Sequence, residues 1–278
     1  MKLVYRTKAV AKAISGIYNR PLDKFDWYEI KAQADDEAEI LIYDFIGWPF
    51  NDAGELVRAL ADMRGKKITV RINSPGGDVF DSMAIYNAFT SHDAKITTRA
   101  EALAASAASI ILLAGKEVQA YQNAMLMIHE PLALVVGNQH EMREMADILA
   151  KVNENMVDIY TKQSSAGKKE VRDMLKAETW LTAKEAKEKG FIDTILDGKA
   201  MKATFDLSMF ANVPDELRPD DNDKEPTIRD IEKALRDVGL SQSKAKALLS
   251  GGWRETGGDA EQLIEIKNLL TQSISIWR

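Results

Sequence analysis

The chain has 278 residues, with 37 Lys plus Arg against 43 Asp plus Glu, a formal net charge of −6, and no cysteine. Without cysteine there is no cysteine nucleophile, disulfide framework or Cys-ligated metal site, and a net acidic chain is a poor general nucleic-acid binder. Hydrophobic content of 45% and charged content of 29% describe an ordinary globular chain. No apolar run reaches the ~18 residues of a membrane span.

Residues 1–22 are basic, and the first acidic residue is Asp23. They read as a basic N-terminal arm. Its amphipathic helix, Thr7 to Tyr18, has Val10, Ala13, Ile14 and Ile17 on one face. Lys8 and Lys12 break the apolar core that a secretory signal needs.

The body follows over residues 23–202. Glu39 to Gly47 (EILIYDFIG) predicts a buried strand and Asp52 to Met63 a helix. Lys67 to Asn73 predicts a second strand, closed by the turn Ser74-Pro75-Gly76-Gly77. A helix is expected from Asp81 to Thr90, a short strand from Ile96 to Arg99, and a buried helix from Ala104 to Ala114. Ala124 to Ile128 reads as a strand, and Met142 to Lys162 and Lys168 to Leu175 as amphipathic helices. Strand and helix alternate, so the fold class is α/β with parallel strands, in a layer or spiral. Residues 203–226 are rich in charge and hold Pro214, Pro219 and Pro226, which reads as a flexible linker. Residues 227–278 carry three short helical patterns headed by Thr227, Ser241 and Asp259. That region is small for a core of its own, so docking on a partner is expected.

Three segments carry chemistry. Ser106 lies in Ala104-Ala105-Ser106-Ala107-Ala108-Ser109, at the head of an apolar helix. There, unpaired N–H groups face a developing oxyanion and small neighbours admit a substrate backbone. His129 ends the apolar string Met125-Leu126-Met127-Ile128 just before Glu130-Pro131. A histidine at a strand end is placed to serve a ligand site, and its ordinary pKa suits a base for a serine. His92 and His140 lie in polar surroundings and read as exposed. In Ser74-Pro75-Gly76-Gly77-Asp78 two glycines let backbone N–H groups point at an anionic centre. No Gly-Lys-Ser/Thr follows, so it is not a phosphate loop. Each segment alone is commonplace: small residues line many helix contacts, core histidines are frequent, and Pro-Gly-Gly is usually a turn.

Together the three segments resemble the proteolytic subunit of the Clp protease, a serine peptidase. The resemblance rests on Ile72 to Gly77, Ala104 to Gly115 and Met127 to Pro131, and extends to Trp180 to Ala186 and Gly190 to Asp193. It covers about residues 38–198. The spacing from Gly77 to Ser106 matches the family without a gap. The step from Ser106 to His129 is two residues short, and the shortening is expected in a loop at Lys116 to Ala120. The family places its nucleophile nine residues before the Ala-Gly glycine, which selects Ser106 over Ser109 here. Its third triad member falls on Glu178 when counted from His129, where the family has aspartate. Asp173 is the alternative, as is a dyad using neither.

The resemblance implies a spiral of repeated ββα units shared with the crotonase group. It also implies acyl transfer by Ser106, His129 and an acid, with Gly77 and Ala107 N–H groups as the oxyanion hole and no cofactor or metal. The nearest pattern is that of Clp-related head maturation proteases of tailed phages. The cues are Gly-Gly-Asp-Val-Phe after the turn, Glu-Thr-Trp before Leu-Thr-Ala, and the added tail. That implies a cytoplasmic homo-oligomer, ring-shaped as in the family, acting on a scaffold or capsid precursor. No nucleic-acid or membrane partner is implied, and an ATP-dependent unfoldase is not required. The competing expectations are a proteolytic subunit of an ATP-dependent Clp protease, a crotonase-type acyl-CoA enzyme and an inactive structural homologue.

Overall fold

Apolar runs with β-branched residues build one mixed sheet, and amphipathic segments between them return the chain across it. The computed structural model describes residues 27–198 except 35, 64–66 and 136, together with 205, 207 and 210–217. The basic arm, including the helix expected from Thr7 to Tyr18, and the three helical patterns after residue 226 lie outside the described residues. By its contacts the chain divides into Met1–Arg218 and Pro219–Arg278, and the described residues all belong to the first unit.

In chain order the elements are β1 (Tyr28–Ala34), β2 (Glu37–Tyr43), α1 (Ala53–Ala61), β3 (Lys67–Ser74), α2 (Val79–Ser91), β4 (Ile96–Ala105) and α3 (Ala107–Leu112). They continue as β5 (Glu117–Tyr121), β6 (Met125–Ile128), α4 (Gln139–Lys162), α5 (Lys168–Lys176), β7 (Thr179–Thr182), α6 (Ala183–Glu188) and β8 (Thr194–Leu196). The sheet runs β1-β2-β3-β4-β5-β8, with β6 joined to β4 and β7 joined to β6. Pairing is parallel except at β1–β2 and β6–β7. This is the expected α/β class. The main core sets Ile40, Ile42, Val70 and Ile72 of the strands against Leu56, Leu60, Ile85 and Phe89 of the helices. No helix among the described residues is long and apolar enough to cross a membrane.

Three differences from the sequence reading bear on the site. First, β4 runs to Ala105, where a short strand and a helix beginning at Ala104 were expected. Ala102 to Ala105 are small and apolar, which suits a strand buried on both faces as well as a helix. The long strand forks: Thr97 to Ala100 pair with β5, and Leu103 to Ala105 pair with β6. Second, Glu117 to Tyr121 form β5 rather than a loop. Its alternating burial is a strand signal. The short connections are 113–116 and 122–124 on either side. Third, the described part of the expected linker is packed. Leu207, Phe210 and Val213 are buried in a small cluster with Leu103, Ala105 and Met127. The charge and proline that mark a linker begin only at Pro214, after these apolar residues.

Candidate active site

Ser106 ends β4 and caps α3 with φ 52° and ψ −125°, an elbow that L-residues rarely adopt. Such backbone costs about 1–3 kcal/mol and persists where surrounding structure holds it. Two strand registers provide that hold. Ser106 N–H donates to Met127 O at 2.8 Å, continuing the β4–β6 ladder. On the other side Ser74 pairs with Ala104, and the same offset sets Gly76 beside Ser106. A Cβ on Gly76 would lie 2.7 Å from Ser106 Cβ, and Gly76 has φ +106°. Gly77 packs on Ile46 instead: a Cβ there would meet Ile46 O at 2.0 Å. The glycines therefore let the turn sit directly on the elbow.

His129 follows β6. Its Nε2 lies 2.7 Å from Ser106 Oγ, within hydrogen-bond reach of a serine that gives up its proton. The ring is 8% exposed, and burial holds its pKa below the ordinary imidazole value, opposed by the charge of Glu178. Glu178 stands at the end of the β6–β7 ladder. That antiparallel pairing ends with Ile128 opposite Thr179, and His129 and Glu178 are the next residues beyond it on the two sides. Glu178 itself has φ 49°, a second left-handed residue at the same place. Its carboxylate accepts from Trp180 Nε1 at 3.3 Å, Ala211 N at 3.0 Å and Asn212 N at 2.6 Å. Among the described residues no hydrogen bond joins it to His129; the coupling is electrostatic. Asp173 sits apart on the exposed side of α5, paired with Lys169 at 2.7 Å.

Ala107 is the first residue of α3, and its N–H opens the helix next to Ser106. Ser109 lies inside α3, fully buried, with its Oγ 2.7 Å from Tyr160 Oη and donating to Ser106 O at 2.6 Å. It braces the elbow from within. Of the remaining histidines, His140 is exposed on α4, whereas His92 is only half exposed, with its Nε2 3.0 Å from Leu60 O. The sequence shows Gly76 as half of a Gly-Gly pair and Trp180 within a family motif, but it does not single out Phe210, whose ring partners His129 and Trp180 are remote in the chain.

With this geometry in place, comparison with known proteins is decisive. Residues 23–199 match the Clp protease family.

The chain belongs to the Clp protease family.

Membership carries the activity class, a serine-type peptidase and hence a hydrolase. The chain is 32% identical over 145 residues to the ATP-dependent Clp protease proteolytic subunit 2 of Thermobifida fusca, spanning 51% of this chain and 71% of that protein. It is 32% identical over 134 residues to the ATP-dependent Clp protease proteolytic subunit of Bacteroides fragilis, spanning 48% of this chain and 65% of the relative. It is 26% identical over 161 residues to the corresponding subunit 1 of Salinibacter ruber, spanning 55% and 69%. The family match stops at residue 199, so Phe210, which touches His129, and Ala211 and Asn212, which bond Glu178, lie outside it.

Proposed function

We propose that the protein is a serine endopeptidase in which Ser106 is the nucleophile, His129 the general base and acid, and Glu178 the orienting acid. The observation that carries this reading is the 2.7 Å contact between Ser106 Oγ and His129 Nε2. Ser106 Oγ attacks a peptide carbonyl as its proton passes to His129 Nε2. The tetrahedral oxyanion is held by the N–H groups of Gly77 and Ala107, about 3 kcal/mol for each donor. His129 then delivers the proton to the leaving amine, which breaks the C–N bond and leaves an acyl-serine. Water, deprotonated by His129, attacks the acyl carbon and frees Ser106.

The relatives' names favour a role as the proteolytic subunit of an ATP-dependent Clp-type protease, assembled in a ring and served by an unfoldase. A second reading, a head maturation protease cutting a phage scaffold or capsid precursor, rests on the Gly76-Gly77-Asp78-Val79-Phe80 and Glu178-Thr179-Trp180 strings. The nucleophile is tested with a fluorophosphonate probe on the purified protein beside Ser106→Ala and Ser109→Ala. Labelling that persists in Ser106→Ala overturns the assignment. The two roles separate on substrate. ATP-dependent degradation of a folded protein with an added unfoldase supports the first. Unassisted cleavage of a capsid precursor supports the second.

A further inference from the structure

Residues beyond the family match complete the surroundings of the candidate acid and base. Leu207, Phe210 and Val213 bury themselves against Leu103, Ala105 and Met127. Ala105 precedes the nucleophile, and Met127 accepts the Ser106 N–H. The Phe210 ring stands nearly perpendicular to both the His129 and Trp180 rings, at centroid distances of 5.6 and 5.9 Å. The next two backbone N–H groups, of Ala211 and Asn212, donate to the two oxygens of Glu178, and Asn212 Nδ2 donates to Ala177 O at 3.0 Å.

We propose that residues 210–213 are a positioning element of the active site, in which Phe210 buttresses His129 and the Ala211–Asn212 backbone holds the Glu178 carboxylate beside it. This rests on the reading of Ser106 and His129 as nucleophile and base. A carboxylate with a donor on each oxygen is fixed in orientation, and charge-assisted hydrogen bonds are the strong ones. The negative charge thus reaches His129 from a set direction although no hydrogen bond joins the two. Phe210 covers part of the imidazole and keeps water from it, which adds to the burial that favours the neutral ring. Among the described residues, Ser106 from the β4–α3 turn bonds His129 and Glu178 from the α5–β7 turn is the charge that acts on it. The neighbouring Glu130 turns away to Asn153, at 3.3 Å. From the C-terminal side, Phe210 contributes only its ring.

The test uses the full chain carrying Phe210→Ala or Phe210→Leu. It measures fluorophosphonate labelling, and kcat/KM on a fluorogenic peptide across pH. Phe210→Ala is expected to lose about tenfold or more in kcat/KM, as small displacements of reacting groups do. Its acidic limb is expected to move to higher pH, because the exposed imidazole protonates more readily. Phe210→Leu keeps the apolar volume and is expected to lie between the wild type and Phe210→Ala in both readouts. A purely structural role would change the melting temperature and the amount of active protein, but not the position of the limb.

A wild-type rate and limb in Phe210→Ala overturn the proposal, as does a faster enzyme. If Phe210→Ala does not fold, a Phe210→Leu enzyme with wild-type rate and limb overturns it. An unlabelled wild type refutes the serine-nucleophile reading itself. A labelled wild type with indistinguishable Phe210 variants refutes only the positioning role.

Discussion

Gly76→Ala is the sharpest perturbation of the elbow. The added Cβ would lie 2.7 Å from Ser106 Cβ, 2.8 Å from Ala105 O and 3.0 Å from Ala107 N. Carbon pairs settle at about 3.5–4.0 Å, so the first contact is short by roughly an ångström. No rotamer relieves it, because every neighbour is backbone or Cβ. The φ of +106° adds about 1–3 kcal/mol of strain for any L side chain. The turn and the elbow must therefore move apart, and Ser106 Oγ moves with the elbow. A shift near 1 Å costs about a hundredfold in rate. The assay is the rate of fluorophosphonate labelling together with kcat/KM on a fluorogenic peptide, with a thermal melt alongside. Gly54→Ala is the control, since its Cβ meets only the movable ends of Arg58 and Asp52. The control is expected to keep wild-type activity. Wild-type labelling in Gly76→Ala, with an unchanged melt, would refute the close-approach argument.

Glu178→Gln keeps the shape but removes the charge beside His129, and kcat is expected to fall about a hundredfold or more. Asp173→Asn is expected to leave kcat unchanged, and the reverse pattern would reassign the acid. The acidic limb of wild-type kcat/KM is expected below the ordinary imidazole pKa, because burial outweighs Glu178 and the base works in its neutral form. In Glu178→Gln the charge opposing burial is gone, so the limb should move lower still; a rise would contradict the electrostatics. Ser109→Ala is expected to label at Ser106 but to destabilise by about 1–3 kcal/mol, since the buried Tyr160 hydroxyl loses its partner. The melting temperature should drop, and adding Tyr160→Phe should recover much of the loss.

The serine, the strand-end histidine and the glycine turn are each commonplace alone, and only their combination at family spacing singles them out in the sequence. The backbone elbow at Ser106 is not legible there, since the same residues read as a helix start. The convergence of the three segments needed register, which depends on strand pairing and not on any one segment. Glu178 shows the difference. Counting from His129 along a resembling family reached it, but its position at the same ladder end as His129 follows from the β6–β7 pairing. The run from Ala102 to Ala105 could not be divided between strand and helix, because alanine between apolar neighbours satisfies both periods. Phe210 was hidden for another reason. Proline and charge concentrate at 214–226, and extending that linker character back to residue 203 hides the apolar Phe205, Leu207, Phe210 and Val213.

The forked pairing of β4 has a consequence for how this site tolerates change. β5 is registered on the first half of β4 and β6 on the second, both parallel to it, so the short connection between them is bracketed by two separate ladders. Length added or lost at 113–116 or 122–124 is absorbed before the second ladder begins. The residue that faces Ser106 is then set by the fork and not by the number of residues spent reaching it. Such a layout lets the outer loops drift in length over evolutionary time while the reacting pair stays at contact distance.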